Sequence, residues 1–496
     1  MRKNSFIFKI FLVTTIFFIT PKLFSEEYQI QFVEYHITGR TREYPLSLKI
    51  PIDTTTVFDS IESYNNYISL LKQNFLNQRV LESITIDSVF LEKEESTQPI
   101  QVQLIIHTVD SWNFIAFPYP KYDSNDGLSL KLKAKDYNFL GSMNELEYEL
   151  VYFSEIPTYT DKYLHTIPLE YDTGKGIAAT LSFDYPFKIG SVDSSWSNTI
   201  TGAYVFGSDA PYIVSGNGLN FKYPINTFSI DFNITETYTY NSYYEDDNDS
   251  SYTTTDFTIS LPFTLYNSDR FGKFILTPFT NLYFNADSDI LTDESISLGM
   301  QNADLNDPEL AEGLTFGINT INWVNNFRKG ISENITIKSI YLLESESFNP
   351  EIEYTSTLYS PFNQFAINGR ITAFYNISNS DTRPVGYYMR GILDTDEYVS
   401  KAAILNFDIP ISIFTTNWQG MNIPHSHYFD FELQISPFID IALCSSDTNF
   451  LVTSGFEIIV YPLKMRSIQV RGSLGFNLTD INDISDEIYV GLGLFY

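Results

Sequence analysis

The feature that most constrains this chain is a train of short alternating segments that runs from Trp112 to Tyr496. Runs of about ten residues alternate apolar and polar side chains, and polar turns rich in Gly or Asn separate them. Examples are "GIAATLSFDYPF", "GKFILTPFTNLYF" and "SIQVRGSLGFNL". Because successive side chains of a strand point to opposite faces, each run has two different faces. The pattern predicts a mainly β fold built of many antiparallel strands.

Three further observations indicate that these strands form a transmembrane barrel over residues 112–496. Aromatic residues make up 16% of the chain, which suits the aromatic girdles of a barrel at its membrane interfaces. Tight turns such as "YPIN" alternate with long acidic stretches at 154–174, 241–253 and 287–311. The chain ends "DEIYVGLGLFY", which places alternate apolar residues and a terminal aromatic on one face. A secreted β-sandwich or β-solenoid is the alternative.

Charge and cysteine content exclude several classes of protein. The formal net charge of −31 argues against a nucleic-acid binder, which requires a basic face. The single cysteine, Cys444, excludes an internal disulfide framework and a zinc site built from cysteines.

The first 25 residues have the pattern of a secretory signal peptide. Arg2 and Lys3 precede an apolar run from Phe6 to Ile19, and Ser25 is a small residue at a plausible cleavage point. An uncleaved anchor is the alternative, but the run is shorter than the ~20 residues of a spanning helix. We therefore expect an exported protein of the bacterial outer membrane that crosses the membrane with strands.

Residues 26–111 predict a small α+β domain. The run "YQIQFVEYHITG" alternates like a strand, "SYNNYISLLKQNFLNQRVLES" has helical spacing, and "ITIDSVFLE" and "IQVQLIIHTV" are two further strands. A sheet of this kind has an exposed edge to which another chain's strand can add. The order of elements resembles a POTRA domain, which implies a location in the periplasm. An unrelated α+β domain is the alternative.

Four pieces of the barrel region, in order, resemble the BamA/TamA outer-membrane superfamily. The first is "YDSNDGLSLKLKAKDYNFLG", similar to the opening hairpin of that family. The second is "MRGI", similar to the Arg-Gly-aromatic motif of its sixth loop, with Ile392 in the place of the aromatic. The third is "AAILNFDIPI", with Asp408 where the family usually has a glutamate. The fourth is "ISPFIDIAL", similar to its Phe-x-Asp strand, and it lacks the usual glycine after the aspartate.

The resemblance implies a barrel of sixteen strands whose sixth loop folds back into the lumen. Counting alternating runs gives about eighteen strands, thirteen of them before Arg390, so we expect sixteen strands and a misread hairpin within 331–378. The resemblance also implies that Arg390 is held by the inward carboxylates of Asp440 and Asp408. An arginine in a partly dehydrated lumen requires such a partner, and Gly391 allows the backbone to approach closely. The alternative is a loop-tip arginine bonded to Asp394 and Asp396.

The first and last strands suggest a weak closure. Pro118 and Pro120 lack N–H groups on the same edge of the first strand, and Gly491 and Gly493 weaken the last strand, which ends at Tyr496. We expect these residues to form a lateral gate at which a client strand can pair. In the alternative interpretation, the prolines mark only the hinge before the barrel or the loop above it.

The sequence carries no recognisable catalytic motif, so we expect neither an enzyme nor a cofactor. His425 and His427 alternate as in a strand but lack an evident third ligand, and we expect no metal site. The acidic loops are alternative calcium ligands, although solvated surface loops explain them better. An outer-membrane protease is the alternative activity.

The leading functional prediction is an outer-membrane protein insertion or assembly factor. The expected partners are the lipid bilayer, unfolded outer-membrane or secreted clients, and periplasmic chaperones or accessory lipoproteins, with no nucleic acid. The alternatives are a two-partner-secretion pore and a passive porin or surface antigen.

Overall fold

A computed structural model describes residues 26–78, 80–91, 98–123, 127–153, 175–206, 211–225, 228–240, 251–268, 272–285, 308–377, 383–393, 397–418, 430–445, 450–464, 469–479 and 486–492. The predicted signal peptide lies outside this set. The chain divides into two compact units, one up to Ser111 and one from Trp112 onward.

The N-terminal unit is a four-stranded sheet with two helices. Its elements are β1 (Tyr28–Thr38), α1 (Glu43–Lys49), β2 (Val57–Phe58), α2 (Ile61–Asn77), β3 (Leu81–Phe90) and β4 (Ile100–Asp110). The strand order is β2-β1-β4-β3, with β1 parallel and β3 antiparallel to β4. The Ser60 hydroxyl caps α2 by accepting a hydrogen bond from the backbone N–H of Ser63 at 3.2 Å. In this order β3 lies at an edge of the sheet.

Two observations on helices complete this unit. The buried side of α2 consists of Tyr64, Leu71 and Phe75, which follow helical spacing along the chain. None of the helices among the described residues has the length and apolar character needed to cross a membrane.

The C-terminal unit is a closed antiparallel β-barrel, as the alternating runs predict. Its first nine strands are β5 (Phe114–Asp123), β6 (Gly127–Asp136), β7 (Leu146–Phe153), β8 (Gly176–Ile189), β9 (Val192–Val205), β10 (Tyr212–Ile225), β11 (Phe228–Tyr240), β12 (Ser251–Ser260 with Phe263–Ser268) and β13 (Gly272–Asn285). The other nine are β14 (Glu309–Asn319 with Asn322–Val324), β15 (Phe327–Leu342), β16 (Ser347–Pro361), β17 (Ala366–Asn376), β18 (Lys401–Asp408 with Ile411–Thr415), β19 (Phe431–Cys444), β20 (Phe450–Pro462), β21 (Val470–Asn477) and β22 (Asp486–Leu492).

The expected count of sixteen strands is wrong, because the described residues form eighteen. Three strands are each interrupted by two residues, and both parts of each pair with one common strand: β12 with β11, β14 with β15 and β18 with β19. Thirteen barrel strands precede Arg390 and five follow it. The loop with Arg390 is therefore the seventh connection at its end of the barrel, whereas the resemblance implied the sixth.

The barrel wall is polar inside and apolar outside, as β19 illustrates. Its buried, inward positions carry Glu432, Gln434, Ser436 and Asp440, among others, and its exposed outward positions carry Ile435, Ile439 and Leu443. A water-soluble barrel would bury its apolar side chains and expose its polar ones. This reversed distribution is that of a barrel surrounded by lipid.

Candidate functional site

The segment between β17 and β18 folds into the barrel lumen. A short ladder pairs Arg383–Pro384 with Tyr398–Val399, and a 3₁₀ turn at Gly386–Tyr388 leads into the motif. The apolar loop residues Val385, Met389, Ile392 and Val399 are buried in one cluster against inward residues of β17, β18, β19 and β20. This burial explains why "VGYYMRGI" is more apolar than a solvated loop tip.

The side chain of Arg390 forms a bidentate ion pair with Asp440 of β19. Its Nε donates to Oδ2 at 3.0 Å and its Nη2 donates to Oδ1 at 2.7 Å. The backbone N–H of Arg390 also donates to Oδ2, at 2.9 Å. Arg390 is 2% exposed and Asp440 is fully buried, so both charges depend on this contact. The described part of the loop thus brings together the arginine and the aspartate that the sequence singled out.

Asp408 lies at the edge of this arrangement rather than at its centre. Its Oδ1 is 3.9 Å from Nη1 of Arg390, and its Oδ2 accepts hydrogen bonds from Asn368 and Ser436 at 2.9 and 3.2 Å. Glu457 of β20, which sequence reasoning missed, is closer to the same Nη1, at 3.6 Å. A lone carboxylate within the run "SGFEIIVYP" was the available signal for it.

Aromatic and basic neighbours complete the surroundings of Arg390. The ring of Phe438 lies under the guanidinium, with its centroid 4.0 Å from Cζ, in a cation–π contact. Arg471 of β21 donates from Nη1 to Oε1 of Glu457 at 3.0 Å. Glu457 therefore lies between two cations, and the buried group spans strands β18 to β21.

Gly391 brings the loop backbone against the wall of the barrel. Its φ of +90° is one that side-chain-bearing residues rarely adopt, and its N–H donates to Oε2 of Glu487 in β22 at 2.6 Å. A Cβ at this position would lie 2.8 Å from the backbone nitrogen of Phe476 and 3.1 Å from the carbonyl carbon of Gly475. Gly475, which sequence reasoning did not single out, permits this approach because its own Cβ would lie 2.6 Å from Cα of Gly391.

We expect Gly391→Ala to release the loop from the lumen, because the clash is with backbone atoms and cannot be relieved by a rotamer change. Limited proteolysis of the folded barrel should then cut between β17 and β18 faster than in the wild-type chain. Gly472→Ala in β21 is the matched control, since a Cβ there meets nothing within 4 Å. Equal protease resistance of Gly391→Ala and the control would contradict this assignment.

The barrel closes between its first and last strands through a short ladder, which we call the seam. Only Tyr489–Asp123 and Val490–Tyr122 pair among the described residues of β22 and β5. By comparison, β22 pairs with β21 without interruption from Asp486 to Leu492. The two seam pairs lie at the end of the barrel that bears the long loops, because Asp123 precedes the β5–β6 connection.

The backbone nitrogens of the two prolines in β5 are directed toward the seam. The backbone N–H of Tyr137 donates to the carbonyl of Asn113 at 2.8 Å, and the β5–β6 register that follows is continuous. Asn113 thus directs its backbone groups toward β6, and so do the other odd-numbered residues of β5, because alternate residues of a strand bond to the same neighbour. The even-numbered residues direct their backbone N–H and C=O groups toward β22. Pro118 and Pro120 therefore lack N–H groups on the seam edge. Counted from the long-loop end, the described pairing runs through Asp123 and Tyr122 and stops two residues short of Pro120.

The remaining predicted gate residues divide into two sets. Gly491 pairs with Arg471 of β21 and has no partner in β5 within the ladder that the structure describes. Gly493 and Tyr496 lie outside the described residues.

Four further residues that the sequence analysis named, Asp394, Asp396, His425 and His427, also lie outside the described residues. Across the described ranges, no three His, Cys, Asp or Glu side chains are arranged to hold a metal ion.

An aromatic side chain bridges the seam on its inner side, which sequence reasoning also missed. The ring centroid of Tyr489 in β22 lies 4.3 Å from Cζ of Arg471 in β21 and 5.8 Å from Nζ of Lys121 in β5. Arg471 also contacts Glu457, so one series of contacts joins Arg390 to the seam. Such ring–cation contacts contribute about 0.5–1 kcal/mol each when exposed.

Comparison with known proteins yields similarity at the level of solved structures only. No protein-family model matches the sequence, and no curated protein matches it. The chain is similar to BamA from Haemophilus ducreyi lacking POTRA domains 1–3, at 11% identity and a TM-score of 0.38, covering 94% of this chain and 84% of that one. It is also similar to CdiB from Escherichia coli (9%, TM-score 0.49, 93% and 76% covered) and to CdiB from Acinetobacter baumannii (10%, TM-score 0.44, 93% and 73% covered).

Proposed function

We propose that this protein is an outer-membrane protein assembly or insertion factor of the BamA/TamA type. The observation that carries the proposal is the seam, where two residue pairs join β5 to β22 among the described residues and Pro118 and Pro120 offer no N–H to β22. Because a proline cannot donate a hydrogen bond to a neighbouring strand, this part of the β5 edge holds β22 weakly and favours exchange for the strand of a client. A client hairpin that pairs with this edge would enter the bilayer through the barrel wall.

The N-terminal unit supports capture of the client before insertion. Its strand β3 lies at an open edge of the sheet, and edges of this kind accept an extended peptide by strand addition. The element order also resembles a POTRA domain. In this proposal the unit lies in the periplasm, receives an unfolded chain and delivers it to the barrel without a nucleotide.

The loop supports the same function by stiffening one part of the wall. Buried contacts of Arg390 and Gly391 tie strands β18 to β22 together from inside the lumen. In this proposal the barrel rearranges between β22 and β5, a pairing outside the group of strands that these contacts join. A passive porin is disfavoured because the loop and its buried cluster occupy part of the lumen.

A protein-secretion pore is the second candidate, and the strand count favours it. Barrels of sixteen to eighteen strands are wide enough to leave an aqueous channel. Eighteen strands, seen among the described residues, leave room for an extended polypeptide if the loop moves.

Depletion in the native host distinguishes the two candidates. If the chain inserts proteins, its loss should lower the amounts of several outer-membrane proteins together, with their unfolded precursors accumulating in the periplasm. Quantitative proteomics of isolated outer membranes gives the readout. Loss of one secreted protein, with other outer-membrane proteins unchanged, would instead establish the pore. Normal levels of both sets would contradict each candidate.

A further inference from the structure

An apolar concavity of about 690 Å³ lies on the outer wall of the barrel, away from the loop and the seam. It is lined by Phe139, Leu140, Phe183, Tyr185, Phe187, Trp196 and Leu219. The strand residues among them belong to β8, β9 and β10, and the first two belong to the turn that joins β6 to β7. Volumes of about 300–1,000 Å³ are typical of small-molecule sites.

The concavity is continuous with the outward, lipid-facing side of the wall. Along β8 and β9, Ile177, Ile200 and Tyr204 extend the same exposed face, and Tyr223 does so on β10. Each lining side chain is apolar or aromatic, and only Tyr185 and Trp196 carry a polar tip. Such amphipathic rings are typical of the membrane–water interface.

The turn that forms one wall of the concavity is held rigidly. The side chain of Asn138 accepts from the N–H of Met143 at 2.9 Å, and Phe139 donates its N–H to the carbonyl of Asn144 at 3.0 Å. The Asn144 side chain donates to Asp184 of β8 at 2.9 Å, which fixes the turn to the barrel.

Leu140 is held in an unfavourable conformation at the rim of this concavity. Its φ is +51°, in the left-handed region, and it is 55% exposed. A residue with a side chain is retained in this conformation only when the surrounding structure enforces it, and such strain is concentrated at binding sites. Here the strained backbone places an apolar side chain over the aromatic floor formed by Phe183 and Trp196, whose centroids are 4.8 Å apart.

We propose that this concavity is a specific site for one acyl chain of a phospholipid in the surrounding leaflet. The inference rests on the proposed membrane location, since the occupant follows from continuity with the lipid-facing wall. An acyl chain matches a lining without charged groups, and the rigid turn distinguishes a defined site from the general lipid annulus.

The test is lipid retention by the purified full-length protein in mild detergent, measured by native mass spectrometry during titration with palmitoyl-oleoyl phosphatidylethanolamine. The wild-type chain should take up one lipid saturably. Leu219→Trp, which fills the concavity, should weaken retention on the order of tenfold. Leu314→Trp, at an exposed outward position on β14, is the matched control and should retain the lipid.

A second variant separates binding from folding. Leu140→Gly removes the rim side chain and relieves the left-handed strain, so the barrel should stay folded while lipid retention falls. Heat modifiability in gel electrophoresis verifies folding of each variant. Equal retention by Leu219→Trp, Leu140→Gly and the control, or uptake without saturation in all of them, would overturn the proposal. A chain that never inserts into vesicles would refute the membrane function instead, because the control would also fail.

Discussion

Replacing Arg390 by alanine is expected to lower the free energy of unfolding of the barrel by about 3–5 kcal/mol. The reason is that the carboxylates of Asp440 and Glu457, which are both buried, would lose a cation partner. Urea-induced unfolding of the barrel in lipid vesicles, followed by tryptophan fluorescence, measures the loss. The same variant should expose the loop to protease, because its backbone bond to Asp440 is formed next to the lost ion pair.

Two variants of the same loop control this result. Arg390→Lys keeps a positive charge but not the planar fork that binds both oxygens of Asp440, so a smaller loss is expected. Arg383→Ala removes an ion pair with Glu351 and Glu353, at 3.1 and 2.8 Å, whose arginine is 27% exposed. Partly exposed pairs of this type contribute about 0–1 kcal/mol. An equal loss of unfolding free energy in Arg383→Ala and Arg390→Ala would show that burial does not make the Arg390 pair more stabilising than the Arg383 pair.

A disulfide across the seam is expected to abolish client insertion while leaving the barrel folded. Tyr122 and Val490 are directly opposite in β5 and β22, and both side chains are exposed on the outer face. The Cα atoms of such hydrogen-bonded pairs lie about 5.5 Å apart, within the range of about 4.4–6.8 Å that disulfides span. Tyr122→Cys with Val490→Cys, in a Cys444→Ser background, should therefore oxidise efficiently, and reductant should restore activity in a vesicle-based assembly assay.

The matched control is a disulfide at a pairing that the proposal leaves closed. Ile352 and Tyr375 form a hydrogen-bonded pair on the outer face of β16 and β17, like the seam pair, within a long uninterrupted ladder. Ile352→Cys with Tyr375→Cys, in the same Cys444→Ser background, should cross-link without changing activity. If the oxidised seam variant assembles clients as well as the oxidised control, the lateral gate is refuted, and a pore that conducts through the lumen becomes the better account.

The number of barrel strands shows which part of the fold can be predicted from local sequence patterns. Each strand is marked by its own alternation, so counting runs leads to eighteen strands, thirteen of them before Arg390, as the structure has them. The smaller number came from the resemblance alone. No motif in "MRGI" or "AAILNFDIPI" specifies how many hairpins precede it, so the family pattern could not correct the count.

The residues of the candidate site fall into two groups: those that sequence motifs predict, and those that depend on which strands become neighbours. The pairing of Arg390 with Asp440 could be predicted because "MRGI" and "ISPFIDIAL" resemble the loop and strand motifs of the BamA/TamA superfamily, and a cation in a lumen requires a carboxylate partner. Glu457 and Gly475 depend on the relative register of β19, β20 and β21, which no single segment encodes. The role of Tyr489 depends likewise on which strands become neighbours when the barrel closes.

The position of the two seam pairs has a geometric consequence for how the wall would open. Both pairs lie near the long-loop end of β5, and Pro120 and Pro118 follow toward the short-turn end. An opening between β5 and β22 would be a tapered slit, hinged near the cell surface and widest on the side that faces the cell interior. A polypeptide arriving from within would thus meet the broad mouth of the slit first, and the two described pairs near the long loops would be the last of these contacts to separate.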